Sequence, residues 1–356
     1  MNYIFIIGTR AQLIKVAPVI HFFEKNNFNP IIIFTGQHKD TMDDLLLEFS
    51  IQVKPIYLIN PKEHSSILSL LFWTPSIFIK MRFFLSKIKP SSYIFVHGDT
   101  LTTLLSTLAS KLTKHKVVHL ESGLTSENLF SPFPEEIIRR VVFRLTNIAC
   151  CPNSLNVERM KKYKKIDILH TYGNTILDSI FHLGLLNQST QEKNSCVVSI
   201  HRFQNINNFK RLKDIVEMLI NISKNYTVNM VLHPATLKKL KSFNLINLLD
   251  NNKNINLLSR MTYKKFIALS LSNEFVISDG GSNQEELAFF GHPTIILRDT
   301  TERTDGIGKN AILINNTQDV LHFIKNKKFV ELKHLQQEQL ISPSQIIFDY
   351  VTRLDK

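Results

Sequence analysis

Short β-rich runs alternate with longer helical stripes from one end of this chain to the other, and that alternation leaves little choice of architecture. Tyr3–Ile7 is followed by apolar residues at helical spacing (Leu13, Val16, Ala17, Ile20, Phe23). Pro30–Thr35, Tyr93–Val96, Val117–Leu120 and Ile148–Cys151 continue the series of strands. After Gly173 the pattern restarts, with Cys196–Ile200, Val228–Leu232, Ile255–Leu258, Phe275–Ser278 and Thr294–Leu297 separated by helices. Strands joined through helices run parallel, because right-handed crossovers lay the helices on the sheet faces. The expected class is therefore α/β: two doubly wound Rossmann-like domains with an interdomain cleft, five or six strands in each. The 356 residues suit two domains. We draw them at 1–172 and 173–341, with a C-terminal helix at about 342–356 packing back onto the first.

Several function classes fall away. Cys150, Cys151 and Cys196 form neither a CxxC pair nor a zinc framework. With no basic n-region in Met1–Ile7, they fit buried thiols in a cytoplasmic protein. The longest apolar run, Ser66 to Ile79, contains Pro75 and is shorter than the ~18 residues of a spanning helix. No nucleic-acid motif is present. The net charge of +13, from 43 Lys and Arg against 30 Asp and Glu, points first to an anionic small molecule and second to acidic lipid. The Ser66–Lys89 stretch, apolar with Lys80, Arg82 and Lys87, reads either as a buried crossover helix or as a peripheral membrane contact.

Ligands bind beyond the carboxyl ends of parallel strands, and unusual residues cluster there. Gly8-Thr9-Arg10 follows the first strand, with Lys15 in the next helix: a glycine turn, a cap and two cations suited to a phosphate. His97-Gly98-Asp99-Thr100 and His119-Leu120-Glu121-Ser122-Gly123 end two neighbouring strands, and Pro134-Glu135-Glu136 opens a helix carrying Arg139 and Arg140. Each acid alone is better read as a helix cap or a first-turn charge. Three carboxylates at neighbouring cleft-facing loops, each with a nearby base, suit acid/base chemistry, where crowding separates the proton affinities. In the second half, His201-Arg202 and His233 end strands, and Asp279-Gly280-Gly281-Ser282 opens a helix carrying Glu286. The turn's amides suit a diphosphate, and a carboxylate one turn on suits ribose hydroxyls. Arg298 and Arg303 add positive charge after the last main strand.

These motifs, in this order, resemble the non-hydrolysing UDP-N-acetylglucosamine 2-epimerases, which have the two-domain glycosyltransferase-B fold. The resemblance runs from Ile4 to about Leu313 through Gly8-Thr9-Arg10, Thr35-Gly36-Gln37-His38, His97-Gly98-Asp99-Thr100 and Glu121-Ser122-Gly123-Leu124. It continues through Ser131-Pro132-Phe133-Pro134-Glu135-Glu136, Gly173-Asn174-Thr175, His201-Arg202, Gln284-Glu285-Glu286 and Arg298-Asp299-Thr300-Thr301-Glu302-Arg303. It implies epimerisation at C2 of a UDP-linked 2-acetamido sugar through a glycal. Asp99, Glu121, Glu135 and His201 match the catalytic groups. Arg10, Lys15 and Arg139 match contacts to phosphates or sugar, and Glu286 matches the ribose-binding glutamate. Arg202, His233, Gly280, Gly281, Ser282 and Arg298 complete the implied UDP site. No cofactor or metal is implied, and a homodimer is.

The chain also departs from the family pattern. Ala11-Gln12 stands for Pro-Glu, Thr125 for arginine, and Phe203-Gln204 for a charged residue and glutamate; the serine of the glycine turn is shifted to Ser282. A hydrolysing 2-epimerase, a glycosyltransferase of the same fold at a membrane surface, and a catalytically silent nucleotide-sugar sensor are the alternatives. The trio of acids favours the epimerase, which needs groups on both faces of the sugar.

Overall fold

A computed structural model describes residues 1–36, 42–59, 67–129, 133–187, 192–301, 304–335 and 341–355, without the side chains of 67–73 and Ser282. The chain divides into two compact units, Met1–Leu183 with Gln339–Lys356, and Gly184–Glu338.

The first unit is built on seven described parallel strands: β1 (Tyr3–Ile7), β2 (Ile31–Phe34), β3 (Ile56–Tyr57), β4 (Tyr93–His97), β5 (Lys116–Leu120), β6 (Ile148–Cys151) and β7 (Asp167–His170), in the spatial order β3-β2-β1-β4-β5-β6-β7. Its helices are α1 (Arg10–Lys25), α2 (Asp43–Glu48), α3 (Ile67–Ser86), α4 (Leu101–Leu112), α5 (Glu135–Leu145), α6 (Ser154–Met160) and α7 (Ile176–His182). All five residues of β1 are buried, as a strand covered on both faces must be. Alternation along it separates two cores. Ile4 and Ile6 face Ile77, Met81 and Leu85 of α3 and Leu105 and Ala109 of α4. Tyr3 and Phe5 enter an aromatic layer in which Phe5 stacks on Phe95 at 4.3 Å and Phe23 meets both.

That layer recruits the C-terminal helix. Phe348 packs edge-on against Phe23 at 5.0 Å and Phe28 at 5.6 Å, and Tyr3 donates a hydrogen bond to Asp355. Helix α7 joins the same side: Ser179 donates to the Ile14 carbonyl at 2.6 Å, and Asp178 accepts the Ser344 amide at 2.7 Å. Residues 173–183, drawn with the second domain from sequence, thus pack with the first. A boundary placed at the glycine turn could not register bonds to residues so distant in sequence. Helix α3 buries the stripe Ile77, Met81 and Leu85, as a crossover helix does, while Ile79 and Phe83 stay exposed.

The second unit carries six described parallel strands: β8 (Ser195–Ser199), β9 (Thr227–Val231), β10 (Ile255–Leu258), β11 (Phe275–Ser278), β12 (Thr294–Ile296) and β13 (Ala311–Leu313), ordered β10-β9-β8-β11-β12-β13. Its helices are α8 (Phe203–Ile206), α9 (Phe209–Ile222), α10 (Pro234–Ser242), α11 (Ile246–Asp250), α12 (Tyr263–Ser272), α13 (Gly281–Phe289) and α14 (Thr317–Lys325); α15 (Pro343–Arg353) is the returning helix. Helix α9 turns Leu212, Ile215, Val216, Leu219 and Ile222 onto the sheet, the spacing of one apolar stripe. The three cysteines are free and buried. Among the described residues no helix is long and apolar enough to cross a membrane.

In each sheet the order reverses once, beside β1 and β4 in the first and beside β8 and β11 in the second. Such reversals splay the following loops apart and leave room for a ligand.

Candidate functional site

The sequence candidates of the first unit lie in the loops that follow β1, β4 and β5 or on the helices after them. After β1, Thr9 caps α1 and Gln12 closes a capping box, its Oε1 accepting from the Thr9 amide at 3.2 Å and also from the Gly8 amide at 2.8 Å. The other end of Gln12 is buried and donates to the His97 carbonyl at 2.7 Å and to Thr100 and Thr103 at 3.0 and 3.1 Å. One amide therefore joins the loop after β1 to the loop after β4. The departure Ala11-Gln12 keeps the cap and adds donors that a carboxylate lacks.

Two ion-paired clusters follow. In the first, Glu121 Oε1 receives Lys15 Nζ at 3.0 Å and Asn174 Nδ2 at 3.1 Å, and His97 Nε2 lies 3.3 Å from Oε2. Glu121 itself is held in the left-handed region at φ 63°, a conformation a non-glycine residue adopts only when its surroundings impose it. In the second, Arg139 Nη2 contacts Asp99 Oδ2 at 2.5 Å while Nη1 lies 3.4 Å from Glu136 Oε2. Burial of Glu136 favours its neutral form, but hydrogen bonds from Thr125, Ser126 and Arg140 outweigh that and hold its pKa below the usual carboxylate value. Thr125, where the family has arginine, is thus a donor to this acid.

Glu135, the neighbour singled out from sequence, opens α5, and its Oε2 is shielded from solvent with no hydrogen-bond partner among the described residues. Glu136 rather than Glu135 holds Arg139. Arg10 joins neither cluster; it makes a bidentate pair with Asp44 of α2 at 2.5 and 2.6 Å. Spacing along the chain gave no signal for that partner.

In the second unit His201 and Arg202 follow β8 and meet Asp279, which follows β11. Fully buried Asp279 accepts the amides of His201 at 3.0 Å and Arg202 at 2.9 Å and the side chain of Asn205 at 2.9 Å. His201 Nδ1 lies 3.3 Å from Asp279 Oδ1, and the His201 ring stacks on His233 at 5.3 Å. His233 also caps α10, accepting from the Ala235 amide. Gly280 matters sterically here: a Cβ on it would sit 3.2 Å from His201 Cε1. Its amide and Asn283 donate to Ser278 Oγ, which fixes the start of α13 at Gly281. Glu286 is buried on α13, and Arg298 after β12 reaches Thr301, itself bonded to Gln284. Gln37, His38, Ser131, Pro132, Glu302 and Arg303 lie outside the described residues, as does the Ser282 side chain. Among the described residues no cluster of His, Cys, Asp and Glu could hold a metal ion.

Single-residue motif reading passed over His97, Asn174, Asp279 and Asn205 as site members. His97, Asn174 and Asp279 belong to the motifs themselves, so their position is legible in the sequence and their partnership is not.

The UDP-N-acetylglucosamine 2-epimerase family profile matches residues 21–338. The UDP-N-acetylglucosamine 2-epimerase of Methanocaldococcus jannaschii is 32% identical, the alignment covering 92% of this chain and 93% of that one. The crystal structure of the M. jannaschii UDP-GlcNAc 2-epimerase with UDP-GlcNAc and UDP superposes with a TM-score of 0.83 at 27% identity, covering 99% and 100% of the two chains. The Neisseria meningitidis UDP-GlcNAc 2-epimerase bound to UDP-GlcNAc gives 0.84 at 25% identity with the same coverage. Two parallel sheets with interleaved helices are the glycosyltransferase-B-type architecture of those enzymes, and the match extends through both units. Profile, identity and fold together establish that this chain belongs to the UDP-N-acetylglucosamine 2-epimerase family.

Proposed function

We propose that this chain epimerises C2 of a UDP-linked 2-acetamido sugar, taking UDP-N-acetylglucosamine to UDP-N-acetylmannosamine without hydrolysis. A carboxylate takes the C2 proton, the C1–O bond breaks with its electrons leaving on UDP, and a C1–C2 double bond forms. UDP then re-adds at C1 while C2 is protonated on the opposite face. The observation that carries this reading is the pair Asp99 and Glu121, on neighbouring strand tips, each with its own fixed cation. Two carboxylates in different settings suit one proton removed and one returned. Glu135, whose shielded Oε2 has no hydrogen-bond partner among the described residues, and His201 complete the proposed catalytic set.

Lys15, Arg139 and Arg10 would offset charge on phosphates or sugar, Arg10 by exchanging Asp44 for the ligand. In the second unit Gly280, Gly281, Ser282 and the start of α13 would receive the diphosphate, Glu286 the ribose, and Arg202, His233 and Arg298 the remaining polar edge. We place the enzyme in the cytoplasm as a homodimer.

The test is incubation with UDP-N-acetylglucosamine in D2O followed by NMR. Deuterium at C2 together with UDP-N-acetylmannosamine is the expected result. Free sugar plus UDP would replace this reading by a hydrolysing epimerase, and an untouched C2 would remove both.

A further inference from the structure

We propose that His119 is a positioning residue: its neutral imidazole is a strut between the two loops that deliver Asp99 and Glu121, donating through Nε2 to one and accepting through Nδ1 from the other. The inference rests on the reading of those two acids as the proton-transfer groups. His119 lies on β5 and is almost fully buried. Its Nε2 is 2.8 Å from the Gly98 carbonyl, and Ser122 Oγ is 2.6 Å from its Nδ1.

One contact falls on the backbone that carries Asp99, and the other on the side chain of the residue that follows Glu121. The Gly98 carbonyl belongs to the same planar peptide as the Asp99 amide, so holding that oxygen fixes the plane from which Asp99 leaves. The Gly98 amide is held too, by the Leu120 carbonyl at 3.2 Å. Gly98 sits at φ 67°, where either neighbour peptide could rotate were it not tied. On the other side Ser122 directly follows Glu121, whose own φ is 63°. A hydroxyl anchored to the imidazole on one flank, and the strand on the other, keep Glu121 in that conformation.

The polarity of the strut is determined by its partners. A carbonyl only accepts, so Nε2 must carry the proton; Nδ1 is then a lone pair, and the Ser122 hydroxyl must donate. Burial lowers the pKa of His119 to about 4, against smaller opposing effects from the Gly98 bond, Asp99 and Glu121, while Arg139 acts with burial. The ring packs on Phe143 at 5.6 Å. The strut therefore stays neutral while the groups it aims exchange protons.

The test is a split between turnover and binding. His119→Phe should fold, bind UDP with unchanged affinity and lose at least about 30-fold in the rate of C2 exchange with little change in KM. His119→Gln, whose amide nitrogen can reach the Nε2 position, should recover most of the rate, and Ser122→Ala should lose less than His119→Phe. In wild-type protein, 15N shifts of His119 should report an Nε2–H neutral ring unchanged between pH 5.5 and 8.5. An Nδ1–H or titrating ring, or full exchange in a folded His119→Phe protein, would overturn the strut. If His119→Phe does not fold, Ser122→Ala and the tautomer spectrum decide. No exchange in wild type would count against the proposed reaction, and the spectrum would then judge the strut alone.

Discussion

Lys15 Nζ lies 3.0 Å from Glu121 Oε1, and the two side chains are only 3% and 6% exposed. A buried pair of this kind is weak evidence for stability in itself, because desolvation offsets most of the attraction. Removing one partner is a different matter. Lys15→Met should destabilise the protein by about 3 kcal/mol, since it leaves a carboxylate buried without its cation. Adding Glu121→Gln should restore part of that loss. Chemical denaturation of the two single variants and the double variant measures the coupling, and additive effects would show that the pair is not coupled.

Asp99→Asn and Glu121→Gln each keep the shape of the side chain and remove its capacity for proton transfer. Each should lower C2 exchange by about 100-fold or more, the scale of general acid–base catalysis, with UDP affinity unchanged by calorimetry. Wild-type exchange in either variant would remove that residue from the proposed catalytic set.

Arg139 reaches Asp99 through one terminal nitrogen and Glu136 through the other. A lysine offers a single point charge and cannot span both. Arg139→Lys should therefore reduce C2 exchange about 10-fold or more although charge is conserved. An unimpaired Arg139→Lys enzyme would mean that charge alone suffices at this position.

Stability should fall on mild acidification, and the direction follows from two buried histidines. Burial lowers His119 and His292 from 6.5 to about 4. Each therefore takes up a proton near pH 6.5 when unfolded and only near 4 when folded. The unfolded chain binds more protons across that window, so stability is full above pH 6.5 and declines toward pH 4. Between pH 7 and 5 the loss should be about 2 kcal/mol for each ring. Urea unfolding at the two pH values checks this, and His292→Phe should flatten the difference by about half.

Gly123 has φ 85°, and a Cβ there would stand 2.5 Å from the Asn156 carbonyl oxygen. Backbone cannot yield as a side chain can. Gly123→Ala should destabilise the protein by about 3 kcal/mol through strain and overpacking, read as a lowered denaturation midpoint.

Much of this protein was legible along the chain. Period-two and period-3.6 patterns are local, so the long covered strands such as Tyr3–Ile7 and Ile148–Cys151 and the loops at their tips were found where they stand. Three edge strands carry no such signal: Ile56–Tyr57 and Ala311–Leu313 are too short to show a period, and Asp167–His170 is polar at both ends and only partly buried. The candidate acids were identified as strand-tip residues for the same local reason.

Composition and order thus determined the α/β class, the positions of the strand tips and the family resemblance. Partnership was decided only in three dimensions. Gln12 bonds the His97 carbonyl, Lys15 meets Glu121 and Arg10 turns to Asp44 because β1 lies beside β2 and β4. Helix α7 belongs with α1 and α15 through Ser179 and Asp178, which no boundary signal encodes. The physical reason is common to all of these: hydrophobic period reports which face of an element is buried, whereas an ion pair or a hydrogen bond depends on which other element the sheet order sets beside it.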